Sequence, residues 1–337
     1  SQIFYSQILN TVSEYIFLAV PLFVFMGVMI ESSGIAARLF DSLYLWFSGM
    51  RGGLAIATIL LGTILATTVG TAAAAVVMVG LIALPAMVKR GYGRELACGS
   101  VCAGATLGVL IPPSVMLVVY GPSAEISVGQ LFIAAPLPGL LLSTLYIAYI
   151  ILHTKAHPEF GPTAPAEERT TSPRRKLFLL FTAILPPIVL VLAVLGTIFF
   201  DVASPTEAAA IGAVASALMS IAYGKLNWRT LKKAVMETLR ITGLVAGIAL
   251  GASMFYGVFL GLGCGDVVTG LILAAPGGKW GIFGLIMFII FFLGMFVDWL
   301  GIVFVVIPVI SPIALQLGFH PLWFAMMIII NLQMSFL

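Results

Sequence analysis

Charge is what this chain has least of. Asp, Glu, Lys and Arg make up 9% of its 337 residues, against a hydrophobic share of 61%. A soluble domain carries about 25% charged residues, so an ordinary water-soluble fold is excluded; the mean hydropathy of +1.17 agrees. A net charge of +3, with the basic residues gathered beside apolar runs, excludes nucleic-acid binding. The three cysteines, Cys98, Cys102 and Cys264, form no CxxC pair, which argues against a disulfide framework. Cys98 and Cys102 share one helix face as small apolar packers. His153 and His157 have metal-like spacing but flank a polar stretch without further ligands, so no metal site is read there. No GxxxxGK[ST] loop and no sizeable polar domain are present to hydrolyse ATP. No signal peptide is read, and an opening Ser1 in place of Met fits processing or truncation upstream.

What the chain does have is a succession of apolar runs. A short amphipathic stretch, 1–14, leads into a first span at 15–31. Residues 33–52 carry Arg38, Asp41 and Arg51 among aromatic and aliphatic residues, an interfacial pattern. LAIATILLGTILA and VVMVGLIALPAMV then flank the small, polar TTVGTAA. Each arm falls short of the roughly 20 residues that cross a bilayer, so 53–88 reads as a re-entrant hairpin. A broken span at 95–121 and a span at 131–152 follow. Residues 153–176, rich in Pro, Thr and charge, read as a flexible cytoplasmic linker. Further spans are expected at 177–200, 206–223 and 241–260. A Gly-rich stretch, 261–280, precedes a second hairpin, 281–317, with VDWLG at its tip, and a last span begins near Pro321. Basic clusters at Lys89-Arg90-Arg94, Lys155 to Lys176 and Lys225 to Arg240 are separated pairwise by two crossings. All three therefore fit the cytoplasmic side, and the two hairpins enter from opposite faces.

The halves repeat. Shifted by 227 or 228 positions, Val69-Gly70 falls on Val297-Asp298, Pro85 on Pro312 and Gly91-Tyr92 on Gly318-Phe319. The expected fold is thus an all-α polytopic membrane protein with an inverted repeat: 1–152, the linker 153–176, then 177–337. Spans 177–200 and 206–223 have no partner in the first half, and Pro112-Pro113 projects past Leu337. The second repeat reads as truncated, with the natural protein continuing at both ends. Paired, Gly/Pro-interrupted segments in inverted halves point to a secondary transporter with its site at the midplane.

The stretch ATLGVLIPPSVM, 105–116, sits at that depth. Proline lacks the N–H a helix needs, and broken backbone inside a bilayer is tolerated where it lines a protein-enclosed cavity. Leu107-Gly108 is expected to end one half-helix, its carbonyls suited to a cation. Ser114 is expected to begin the other, its N–H groups suited to an anion. The alternative is a kink that only shapes packing.

PLFVFMG at 21–27, LPAMVKRGY at 84–92, GATLGVLIPPSVMLVVYG at 104–121, SPTEAAAIG at 204–212 and GMFVDWLGIVFVVIPVISPIA at 294–314 together resemble the large membrane subunit of tripartite ATP-independent periplasmic (TRAP) transporters. That resemblance implies an elevator-type carrier in the bacterial inner membrane. It also implies a small four-helix membrane subunit, a periplasmic substrate-binding protein, an organic-acid substrate and sodium as coupling ion. The family's first tip is commonly Ser-Gly-Ser, where this chain has Val69-Gly70-Thr71. Its second tip has small hydroxyl residues after the Asp, where this chain has Trp299-Leu300. An indole there points to a substrate with an apolar portion, such as a 2-oxo acid, with sulfonates as another class.

The expected substrate contacts are Thr71, Pro112, Pro113, Ser114, Trp299 and Asn331. The expected sodium ligands are Gly70, Thr71, Thr106 and Gly108, with a second ion near Asp298. Hydroxyl and carbonyl oxygens suit a hard cation. Each has a plainer reading beside it. Asp298 fits a helix cap, Thr67 and Thr68 fit hydroxyls bonded to helix carbonyls, and Asn331 fits a bridge between helices. Glu207, after Ser204-Pro205-Thr206, reads as a structural first-turn residue. Two rivals stand against transport. Gly263-Cys264-Gly265-Asp266 matches the GxGD pattern of intramembrane aspartyl proteases, but these need a second carboxylate close by, and Asp41 and Asp201 fall at interfaces. A passive channel needs a continuous polar lining, and here the polar residues gather at tips and breaks.

Overall fold

The computed structural model describes residues 13–65, 72–163, 165 and 173–334, together with Tyr5 and Leu9. A 3₁₀ turn (Tyr15–Leu18) leads into α1 (Ala19–Ser32). Then come α2 (Ile35–Phe47), α3 (Gly53–Leu65), α4 (Ala72–Lys89), α5 (Arg94–Leu110), α6 (Val115–Ser123), α7 (Val128–Ala134) and α8 (Pro136–Ala156). The second part has α9 (Pro173–Phe199), α10 (Pro205–Ala222), α11 (Trp228–Gly261), α12 (Cys264–Leu273) and α13 (Gly278–Gly294). It closes with α14 (Trp299–Gln316), which contains a π turn at Ile302–Val306, and α15 (Pro321–Met334). Among the described residues six helices are long and apolar enough to cross a membrane, or seven when the bent pair α5–α6 is counted as one.

Local chemistry explains where these helices start and stop. Ser204 caps α10 in a reciprocal box: its hydroxyl accepts from the Glu207 N–H, and the Glu207 carboxylate accepts from the Ser204 N–H at 2.7 Å. Glu207 is structural, as its sequence context indicates. Asn227 caps α11 by accepting from the Thr230 N–H at 2.8 Å. α4 and α14 end in the same closing motif. Gly91 (φ +75°) and Gly318 (φ +73°) are left-handed, and the next N–H reaches back five residues, Tyr92 to the Met87 carbonyl and Phe319 to the Ala314 carbonyl, each at 3.1 Å. Both glycines and both bonds are 227 positions apart. Gly34 and Gly263, left-handed with φ +73° each, likewise open α2 and α12.

α5 lies in the clasp of α3 and α4, with α8 against α3 and α5. α1 is held by α10, α11 and α6, while α9 runs beside α2 and α10. The α3–α5 crossing is close because both backbones are bare where they meet: a Cβ on Gly62 would stand 2.3 Å from the Gly104 carbonyl. A Thr63–Ser143 hydroxyl pair at 2.9 Å ties α3 to α8.

Several boundaries differ from the sequence expectation. α4 has 18 residues, since small residues before Val76 extend the helix. α11 is one 34-residue helix that runs from the basic cluster through the expected span at 241–260. α8 continues to Ala156 and α9 starts at Pro173, so the connection is shorter than 153–176. Its first part is docked: the Gly52 N–H donates to the Gly161 carbonyl and the Gly93 N–H to the Phe160 carbonyl, both at 3.0 Å. Phe160 fills the space that a side chain at position 93 would need. The polar composition of 153–176 is that of a linker, but two glycines at the base of the first hairpin offer bare N–H groups that it takes up.

Candidate functional site

The break between α5 and α6 is the centre of the expected site, and it is buried. Thr106, Gly108, Pro112, Pro113 and Ser114 are all enclosed, and the half-helices meet at 47°. α5 runs on to Leu110, past the expected stop at Leu107-Gly108, because the Ile111 N–H still reaches the Leu107 carbonyl at 2.9 Å. The next two carbonyls lose their donors. Pro112 and Pro113 have no N–H to give to Gly108 and Val109, four residues back. Ser114 replaces one donor: its hydroxyl turns back onto the Val109 carbonyl at 2.7 Å. The Gly108 carbonyl keeps no helical donor, so the cation-suited oxygen at this break is that of Gly108. The Thr106 hydroxyl donates to the Cys102 carbonyl at 3.0 Å, which leaves its oxygen lone pairs able to accept. Ser114 is committed within the break, so an anion arriving here meets the first-turn N–H groups of α6 and not the Ser114 hydroxyl. Ile111 packs onto Gly139 of α8, where a Cβ would come within 2.4 Å.

The second tip has a different character. Asp298 caps α14, its carboxylate accepting from the Leu300 N–H at 3.2 Å, and it is exposed. Trp299 is buried, 6% exposed, on an element packed against α11. The indole thus forms part of the packing. The π turn follows directly, an irregularity frequent at functional sites. Asn331 has the bridging role: its amide donates to the Met287 carbonyl of α13 at 2.7 Å. Gly70 and Thr71, with Thr67 and Thr68, lie outside the described residues. α6 packs on the π turn of α14 and α15 packs on α5, so the first break, the segment after the second tip and α15 are neighbours. Asp298→Asn keeps the cap acceptor and removes the charge. If sodium couples uptake as the family resemblance implies, the change is expected to raise the half-saturating sodium concentration by several-fold while leaving binding-protein docking alone, measured as initial rates over a sodium series; an unchanged value makes Asp298 a cap and nothing more.

The carboxylates of the rival protease reading sit on separate elements. Asp41 is on α2, where burial raises its carboxyl above the ordinary range and Arg90 opposes this. Asp201 is in the α9–α10 turn, and Asp266 is exposed in the first turn of α12. His153 and His157 make tilted and edge-on ring contacts with each other and with Tyr149 and Phe160, and no group of three metal-ligating side chains occurs among the described residues. Several buried polar residues had no place in the sequence reading, among them the carboxamide of Gln333. Gln333 in α15 is fully enclosed; its signal was its register, 227 positions after Thr106.

Comparison with known proteins bears on the whole chain. Residues 1–337 match the family described as the tripartite ATP-independent periplasmic transporter, DctM component. The C4-dicarboxylate TRAP transporter large permease protein DctM of Pseudomonas aeruginosa is 31% identical over 332 residues, covering 98% of this chain and 76% of that protein. The sialic acid TRAP transporter large permease protein SiaM of Vibrio cholerae is 28% identical over 334 residues, again covering 98% and 76%. The crystal structure of the Alcanivorax borkumensis YdaH transporter, described as having an unusual topology, matches with a TM-score of 0.66 at 15% identity, over 98% of this chain and 76% of that one. At that identity the likeness speaks for the fold alone. A polytopic helical fold with a buried helix break, matched end to end, leads to one assignment: the chain belongs to the DctM-component family of TRAP transporter large permeases, multi-pass membrane proteins.

Proposed function

We propose that this chain is the substrate-translocating subunit of a sodium-coupled uptake system for an organic acid in the bacterial inner membrane. In this reading an extracytoplasmic binding protein delivers the acid and a small four-helix membrane subunit completes the scaffold. The two hairpins and the broken helix move as one body across the bilayer, in elevator fashion, with the halves inverted relative to each other. The observation that carries the reading is the buried α5–α6 break, where Gly108 has a carbonyl without a helical donor and α6 has a first turn of N–H groups. One end suits a hard cation and the other a carboxylate. Substrate binding then requires the ion, because the cation offsets a negative helix end that would otherwise repel the acid.

The relatives named for C4-dicarboxylates and for sialic acid support a carboxylate as the substrate. A proton relay needs a chain of intramembrane Asp, Glu or His, and Asp298 has no such chain beside it. The test is uptake into proteoliposomes with saturated binding protein under a sodium gradient alone, a proton gradient alone, and neither. Concentrative uptake is expected with sodium only. Accumulation driven by protons in sodium-free buffer would defeat the mechanism, and an absolute requirement for the binding protein separates a carrier from a passive channel.

A further inference from the structure

A cleft of about 460 Å³ opens where α3, α5 and α8 meet the docked segment that follows α8. No residue of the α5–α6 break lines it. Its floor is apolar, made by Ile59 of α3, Ala103 of α5 and Leu145 of α8. Toward the end of α8 the wall becomes aromatic: the Tyr149 and His153 rings are 5.6 Å apart, and Phe160 lies 5.6 Å from His153. Glu95, in the first turn of α5, is the carboxylate of the lining. It is exposed, and no ion pair or hydrogen bond engages it among the described residues. Leu141, Leu145 and Leu152 of α8 are exposed as well, and in a multi-pass membrane protein such a face meets acyl chains. Lys155 stands in the last turn of α8, with the polar segment beyond it. Aromatic rings with polar edges collect at this headgroup level.

We propose that the cleft binds one phospholipid whose headgroup carries a primary ammonium, as phosphatidylethanolamine does. Glu95 repels the net charge of an anionic lipid and accepts a charge-assisted hydrogen bond from an ammonium N–H. The Tyr149 and Phe160 rings add cation–π attraction. A trimethylammonium group has no N–H to donate, so the carboxylate favours the primary amine. Arg94, exposed and next to Glu95 in the chain, supplies a cation for the phosphate, and neighbouring opposite charges match a zwitterion. One acyl chain covers Ile59, Ala103 and Leu145. The cleft adjoins the α3–α5 crossing, since a Cβ on Gly104 would stand 3.1 Å from the Ile59 Cα. The bound lipid therefore braces the foot of the first hairpin against the helix that carries the break.

The experiment titrates purified, delipidated, intact permease in detergent with phosphatidylethanolamine, phosphatidylcholine or phosphatidylglycerol of matched acyl chains, read by native mass spectrometry and thermal unfolding. One phosphatidylethanolamine is expected to bind per chain, at least about fivefold tighter than the other two, and to raise the melting temperature. Glu95→Gln is expected to weaken that binding about tenfold, the effect of losing one charge-assisted contact. Gly99 lines the cleft with open space around it, so Gly99→Phe fills the cleft without disturbing α5. It is expected to lose the lipid-induced stabilisation and to keep the lipid-free melting temperature. Equal affinity for the three lipids, or wild-type binding of phosphatidylethanolamine in either variant, overturns the proposal. Glycerophosphoethanolamine, the same headgroup without acyl chains, is expected to bind at least about 100-fold more weakly; binding as tight as the lipid's makes the occupant a soluble amine and overturns the lipid assignment. The readout needs neither sodium nor transport, so its failure is separate from failure of the uptake mechanism.

Discussion

Replacing Pro112 and Pro113 together with alanine is expected to cut concentrative uptake at least about 100-fold, equivalent to roughly 2.7 kcal/mol, while membrane insertion persists. The reasoning runs through the hydrogen bonds of the break. With N–H groups restored at 112 and 113, the carbonyls of Gly108 and Val109 regain helical donors. The Ser114 hydroxyl, now on the Val109 carbonyl, is released. Proline disfavours a helix interior by about 3 kcal/mol relative to alanine, so the double change favours a continuous α5–α6 helix well beyond the 100-fold level. A continuous helix uses up both the Gly108 carbonyl and the first-turn N–H groups of α6. The measurement is initial uptake in proteoliposomes with binding protein present, alongside quantification of inserted permease. Uptake at the wild-type rate would show that the break only shapes packing.

The second large effect is expected at Gly62. A methyl group there would stand 2.3 Å from the Gly104 carbonyl carbon and oxygen, and neither backbone can yield as a flexible side chain could. Gly62→Ala is expected to destabilise by about 1–3 kcal/mol through overpacking, read as a lower melting temperature in detergent. Gly62→Val forces α3 away from α5 and is expected to abolish transport, because α5 carries the break and α3 is one arm of the first hairpin. Gly247→Ala is the control: it lies in α11 with open space around it, and a helical glycine replaced by alanine there is expected to be neutral or mildly stabilising. Equal melting temperatures for Gly62→Ala and wild type would show that the crossing is looser than the geometry indicates.

The broken helix was legible because proline chemistry is local. Two adjacent residues without N–H groups interrupt a helix wherever they stand, and an apolar run around them identifies the medium. The repeat was legible because its markers, a closing glycine followed by an aromatic and a proline inside an arm, follow from turn geometry that recurs in each half. Other features of the site were not legible. Whether Ser114 points to a ligand or back to Val109, and whether Asn331 contacts substrate or Met287 of α13, depends on where a side chain finds its nearest partner. The segment 157–163 reads as linker by composition; only the bare N–H groups of Gly52 and Gly93 at the foot of the hairpin make it a docked one.

By itself, then, the sequence determined the medium, the helical spans, the break at Pro112-Pro113 and the spacing of the repeat. Apolar run length, periodicity and the absence of an N–H act within one helix or one turn. The tertiary structure alone decided that Trp299 is buried in packing, that Asp298 spends a carboxylate oxygen on the Leu300 N–H, that Asn331 bridges to α13, and that Gln333 is enclosed with its amide unpaired among the described residues. Burial and pairing of these side chains depend on which helices pack together, and the partners involved range from the next turn to elements well over a hundred residues away. No pattern within a single run specifies that packing.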